Sequence, residues 1–134
     1  MMPETEPDDN PASACVLLVE DESLIRSMLA DELRDTGLRV VESASADEAW
    51  RYLENGGAAD LVFSDVTMPG PFNGMELARR IHRDFPHIKT LLASGNPGAM
   101  TLSAQIPFIQ KPYRLDQVIQ AILRLVRPAQ PTGG

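Results

Sequence analysis

The chain has 134 residues, 43% of them apolar, which supports one domain with a buried core. Its 12 basic and 19 acidic residues give a net charge of -7, which excludes a nonspecific nucleic-acid or anionic-membrane surface on electrostatic grounds. A single cysteine, Cys15, excludes an internal disulfide framework and agrees with a reducing compartment.

Part of the acidity lies in the opening MMPETEPDDNPASA, where Glu4, Glu6, Asp8 and Asp9 sit among prolines without an apolar period. Residues 1–13 therefore read as a disordered tail, 14–127 as the domain, and 128–134 as a flexible tail. No basic region is followed by an apolar stretch and a small-residue cleavage site, and no run reaches the roughly 18 apolar residues of a membrane span. A cytoplasmic protein is the default expectation.

CVLLVE (15–20) predicts a first strand, with Cys15 as a small buried hydrophobe at its start. LIRSMLADELRD (24–35) follows as a helix with Leu24, Met28, Leu29 and Leu33 on one face, stopped by Gly37. LRVVES (38–43) predicts the second strand. Ala46, Ala49, Trp50 and Leu53 then make a helical stripe, closed by Gly56 and Gly57, in which Trp50 serves packing. LVFSD (61–65) is the third strand, and MELARRIHRDF (75–85) carries Leu77, Ala78, Ile81 and Phe85 at helical spacing before Pro86.

IKTLLAS (88–94) and PFIQ (107–110) supply two more strands, the latter opening on a proline, and RLDQVIQAILRLV (114–126) forms a last amphipathic helix. Near-continuous apolar strands separated by helices predict an α/β fold: a parallel sheet covered on both faces and built from right-handed crossovers. In such sheets functional groups gather beyond the carboxyl ends of the strands. Glu20 and Asp21 end strand one, Asp65 ends strand three, Ser94 ends strand four, and Lys111 follows strand five.

Neighbouring carboxylates raise one another's pKa values, and a cation resolves the conflict. Oxygen ligands without His or Cys suit a hard ion, and a few carboxylates plus water suit Mg²⁺. A carboxylate beside Mg²⁺ and a lysine ammonium is a competent nucleophile toward phosphorus. Taken singly, each residue has a plainer role. Asp65 could be a solvated loop acid, Glu20 and Asp21 could cap the helix near Ser23, Ser94 could be a turn residue, and Lys111-Pro112 a strand exit. Their common order and strand placement carry the reading.

With LLVEDE, FSDVTMPG, LLASG and FIQKPY, the chain resembles the receiver domains of two-component response regulators from about Cys15 to Arg127. The resemblance implies a flavodoxin-like, doubly wound five-stranded sheet of order 2-1-3-4-5. It implies that Asp65 is the phosphoacceptor and that Asp21 binds Mg²⁺, with Glu20 acting directly or through water and the Thr67 backbone carbonyl as a further ligand. Lys111 would pair with the phosphoryl oxygens, Ser94 would turn its hydroxyl toward them, and Phe108 would be the switch aromatic moving with it. Pro112 implies a cis peptide that aims the lysine.

Two departures stand out. PGPFNG (69–74) holds one residue more than the usual connection, like receivers attached to or working with hybrid histidine kinases. NPGAMTLSAQI (96–106) places Pro97 and Gly98 where a fourth crossover helix runs, so that helix is expected to be short or irregular and a standard dimer face is in doubt. The last helix, with Leu115, Val118, Ile119, Ile122, Leu123, Leu125 and Val126, exceeds one apolar stripe: either the shortened neighbouring helix leaves more of it to be covered internally, or a few of these residues are exposed as a partner or weak homodimer surface. His82 and His87 read as solvated and take no part in phosphotransfer.

The expected function is a phosphorylation-dependent switch that receives phosphate from a histidine kinase or exchanges it with a histidine phosphotransferase. Beyond self-phosphotransfer and autodephosphorylation it is not expected to be an enzyme. Only PAQPTGG follows Arg127, so the expected form is a single-domain regulator without a DNA-binding output, with a receiver cut from a hybrid kinase as the alternative. An aspartyl-nucleophile phosphohydrolase would carry a second Asp two residues after the first, where this chain has Thr67. A binding module without the chemistry would not need Asp21, Asp65, Ser94 and Lys111 intact.

Overall fold

The computed structural model describes residues 13–68, 72–95 and 106–127. Five strands, β1 (Cys15–Val19), β2 (Arg39–Ser43), β3 (Leu61–Asp65), β4 (Lys89–Ser94) and β5 (Phe108–Gln110), form one parallel sheet of order 2-1-3-4-5. Four helices are described: α1 (Ser23–Asp35), α2 (Ala46–Glu54), α3 (Gly74–Asp84) and α4 (Leu115–Val126). The elements expected within the described residues are found, with ends shifted by a residue or so; Gly37 and Gly56, at φ of 95° and 89°, turn the chain out of α1 and α2.

The strand period of two divides the core between the faces. Val16, Leu18, Leu61, Phe63, Leu91 and Ala93 pack with α1 and α4 through Leu29, Leu33, Val118 and Ile122. Leu17, Val19 and Val62 pack on the other face with α2 and α3 through Ala49, Trp50, Leu77 and Ile81. Each large side chain buried this way contributes about 2 kcal/mol. Cys15 is buried at the start of β1, and its thiol donates to the Ala58 carbonyl at 3.4 Å.

One expectation about a helix face is corrected, and the choice left open for the last helix is decided. Of the α1 stripe only Leu29 and Leu33 are buried, whereas Leu24 and Met28 are 72% and 49% exposed. Met28 instead lines a cavity at the sheet's carboxyl edge, beside Ile25 and Leu29. Conversely, no apolar residue of α4 is exposed: Val118, Ile119 and Ile122 are buried, and Leu115, Leu123, Leu125 and Val126 pack half-buried on the same cluster. Helix α4 is covered because α1 lies alongside it on the same face of the sheet. The expected short or irregular crossover helix, residues 69–71 of PGPFNG, and the two tails apart from Ser13 lie outside the described residues.

The loop after β3 is pinned to the site. The Gly74 amide donates to the Val66 carbonyl at 3.0 Å, and Asn73 Oδ1 caps α3 by accepting from the Glu76 amide at 3.0 Å. A Cβ on Gly74 would run into the backbone carbonyl of Asp65. Gly74→Ala is therefore expected to destabilise the protein by about 1–3 kcal/mol, read as a lower midpoint in urea or thermal unfolding. An unchanged midpoint would show that the loop yields freely.

Candidate functional site

Parallel register delivers the polar groups to one edge. Asp65 is level with Ala93 of β4, and Ser94 is level with Gln110 of β5. The Lys111 amide donates to the Ser94 carbonyl at 2.9 Å, so the end of β4 fixes where the lysine begins. Its ammonium then reaches back to Asp65, with Nζ 2.6 Å from Oδ2; the two side chains are 37% and 12% exposed. The Lys111–Pro112 peptide is cis, as the resemblance implies.

On the other side of Asp65 the turn after β1 brings in two more acids. Glu20 is 5% exposed, and its amide donates to the Ser43 carbonyl at 3.0 Å. Its Oε2 accepts the Glu22 amide at 3.0 Å, which orders the turn ahead of α1, but α1 itself has no side-chain cap, so the plainer capping role is not realised. Burial pushes the Glu20 carboxyl above its usual range, and the charges of Asp65 and Asp21 add to the push, while the Glu22 amide opposes it. Asp21 stands exposed.

Glu20, Asp21, Asp65 and Lys111 line one cavity of about 730 Å³, whose wall continues through Met28, Gly95 and Tyr113. Three other candidates lie outside that wall. Ser94 is buried at the end of β4, with its neighbour Gly95 on the cavity. Thr67 is exposed just beyond β3. Phe108 is half-buried with Ile106 and Val66 against Met75, Ala78 and Leu92. His82 and His87 are exposed, as expected.

Tyr113 was not singled out by the sequence reading, although KPY placed it two residues past the lysine. Its ring meets Phe63 edge-on at 6.3 Å between centroids. Burial, followed by the charges of Glu20, Asp65 and Glu22, pushes its hydroxyl up to about 12, so it faces the acids as a neutral phenol.

The donor set fits Mg²⁺. Among the described residues no group of three acid, His or Cys side chains forms a ready-made metal cage. Mg²⁺ does not need one, because it keeps several waters and takes one or two carboxylates together with phosphate oxygens. Lys111 neutralises only one of the three neighbouring acids, and Glu20 carries the desolvation and repulsion that a cation relieves.

This electrostatic conflict has a measurable consequence. A carboxyl whose folded pKa is raised costs stability once it ionises, so the cost is absent below the ordinary value of 4.5 and grows as pH rises through the elevated one. Glu20→Gln keeps an acceptor for the Glu22 amide and removes the charge. In metal-free buffer the variant should melt a few degrees above the parent at pH 7, and the two should converge toward pH 4. A variant that melts below the parent at pH 7 would contradict the conflict.

Residues 16–123 match the family model of the response regulator receiver domain. The chain is 36% identical to sensor kinase CckA of Brucella abortus (strain 2308) over 88% of its own length and 13% of that protein's. It is 26% identical to the DNA-binding transcriptional regulator NtrC of Azospirillum brasilense over 90% of its length and 26% of that protein's. The chain thus spans only about an eighth to a quarter of these curated relatives. A receiver protein of Sinorhizobium medicae superposes with a TM-score of 0.77 at 25% identity, covering 87% of this chain and 96% of that one. The response regulator TrrA of Thermotoga maritima, solved in complex with Mg²⁺ and beryllofluoride, gives 0.74 at 26%, covering 84% and 98%. The receiver domain of the hybrid histidine kinase CckA gives 0.69 at 30%, covering 84% and 99%. Fold, site edge and family match agree: the chain belongs to the receiver domain family of two-component response regulators.

Proposed function

We propose that this receiver domain is a phosphorylation switch in which Asp65 accepts the phosphoryl group of a phosphohistidine. The observation that carries the reading is the Lys111 Nζ to Asp65 Oδ2 pair at 2.6 Å, held in a cavity shared with Glu20 and Asp21. A carboxylate oxygen of Asp65 attacks phosphorus, the phosphorus–nitrogen bond breaks, and the electron pair leaves with the histidine imidazole, giving an acyl phosphate. Lys111 offers its ammonium to the oxygens of the transferred group. Asp21 and Asp65 would hold Mg²⁺, with Glu20 directly or through water and the Thr67 carbonyl, and the bound ion would neutralise phosphoryl oxygens.

The new charge would draw Lys111 and the Ser94 hydroxyl toward the phosphate, and Phe108, half-buried three residues before Lys111, would shift with them. The partners are a histidine kinase, a histidine phosphotransferase, or both, in the cytoplasm; no described helix is long and apolar enough to cross a membrane. The chemistry is self-phosphotransfer and autodephosphorylation, without turnover of an outside substrate. The similarity to CckA, of which this chain spans 13%, supports a second reading, a receiver module of a hybrid kinase.

Two measurements test the switch. Acetyl phosphate with Mg²⁺ should add one phosphoryl group by intact mass, and Asp65→Asn or chelation by EDTA should abolish it; persistent labelling of the Asn variant would sink the assignment. Lys111→Ala should keep the cooperative melt but lose most of the spectral change that phosphorylation causes in the parent. A full-sized change in that variant would refute the role of the lysine.

A further inference from the structure

Arg26, at the end of the first turn of α1, lies outside the cavity wall yet touches the backbone of the acid that lines it. Its Nη1 donates to the Glu20 carbonyl at 2.6 Å, and its Nε stands 3.5 Å from Glu42 Oε1 on β2. Arg34 holds the other carboxylate oxygen of Glu42 at 3.2 Å. The side chain of Arg26 is only 19% exposed. The Glu20 backbone is thereby tied on both sides, its amide to Ser43 and its carbonyl to Arg26, and both ties run to β2.

We infer that Arg26 is a positioning residue for divalent-cation binding: it braces the β1–α1 turn against β2 so that Glu20 and Asp21 present their carboxylates toward Asp65. The inference rests on the cation reading of the site given above. A guanidinium suits the task because one planar group donates to a carbonyl through one nitrogen and pairs with a carboxylate through another, whereas an ammonium is a single point of attachment. Without the brace, the turn holding two of the three acids must be ordered by the cation itself, at a cost in affinity.

Simple electrostatics predicts the opposite sign. Arg26 is a positive charge near a cation site, and its removal alone would tighten binding. The sign of the change therefore separates positioning from charge.

The test is a Mg²⁺ titration of the whole chain, followed by the amide resonances of Asp21 and Asp65, with no phosphoryl donor present. Arg26→Ala should raise the Kd about tenfold, the scale seen when groups that orient metal ligands are removed. Arg26→Lys should fall between parent and Ala. Glu42→Gln, which leaves the carbonyl contact in place, should raise the Kd about twofold and guards against a misfolded Arg26 variant. A Kd in Arg26→Ala equal to or tighter than that of a parent that binds Mg²⁺ overturns the positioning role alone. A parent whose resonances do not respond to Mg²⁺ overturns the cation reading and this inference with it.

Discussion

Three carboxylates gather at the carboxyl edge of this sheet with one ammonium among them, and the rest of the site answers that imbalance. Lys111 reaches Asp65 at 2.6 Å across 46 residues of sequence. Glu20, buried and with its ionised form disfavoured, is not relieved by that contact. A protein built only for stability would replace such an acid with a neutral residue. Keeping it makes sense where a cation and a phosphate are to arrive, because the repulsion stored in the resting site becomes attraction when they do.

The fold supplies rigidity where this chemistry needs it and openness elsewhere. Asp65 terminates a strand whose preceding side chains are fully buried, and the chain beyond it is held by Gly74 pressed against its carbonyl and by the Val66 amide on Ala93. Arg80 lies over the Phe72 ring at 4.2 Å, seating the far end of that loop between α2 and α3. On the opposite side the exposed Met28 of α1 lines the cavity. The site is rigid beneath and accessible from above.

Much of this was legible in the sequence because the sheet is parallel and buried. Runs such as CVLLVE and LVFSD mark their own ends, and in a doubly wound sheet the ends share one edge, so Glu20, Asp21, Asp65 and Lys111 could be brought together from order alone. The exposure of Leu24 and Met28 was not legible, since a helical stripe reads the same whether or not a strand lies beneath it. The covering of α4 was legible only as one of two readings, because it depends on α1 lying alongside. Arg26 left no signal, because its partner is a backbone carbonyl, which every residue carries. Tyr113 left a weak one in KPY, but its place on the cavity wall depends on how the chain turns after Lys111.

The most direct test of the central claim is fluorine NMR of the parent protein with beryllofluoride, with and without Mg²⁺, since this tetrahedral mimic needs a carboxylate oxygen, an ammonium and a divalent cation together. The account requires resonances of bound fluoride that appear with Mg²⁺, vanish on chelation, and are absent from Asp65→Asn. Bound fluoride without Mg²⁺, or none in its presence, would contradict the claim that these three acids and one lysine form a cation-dependent phosphoryl site.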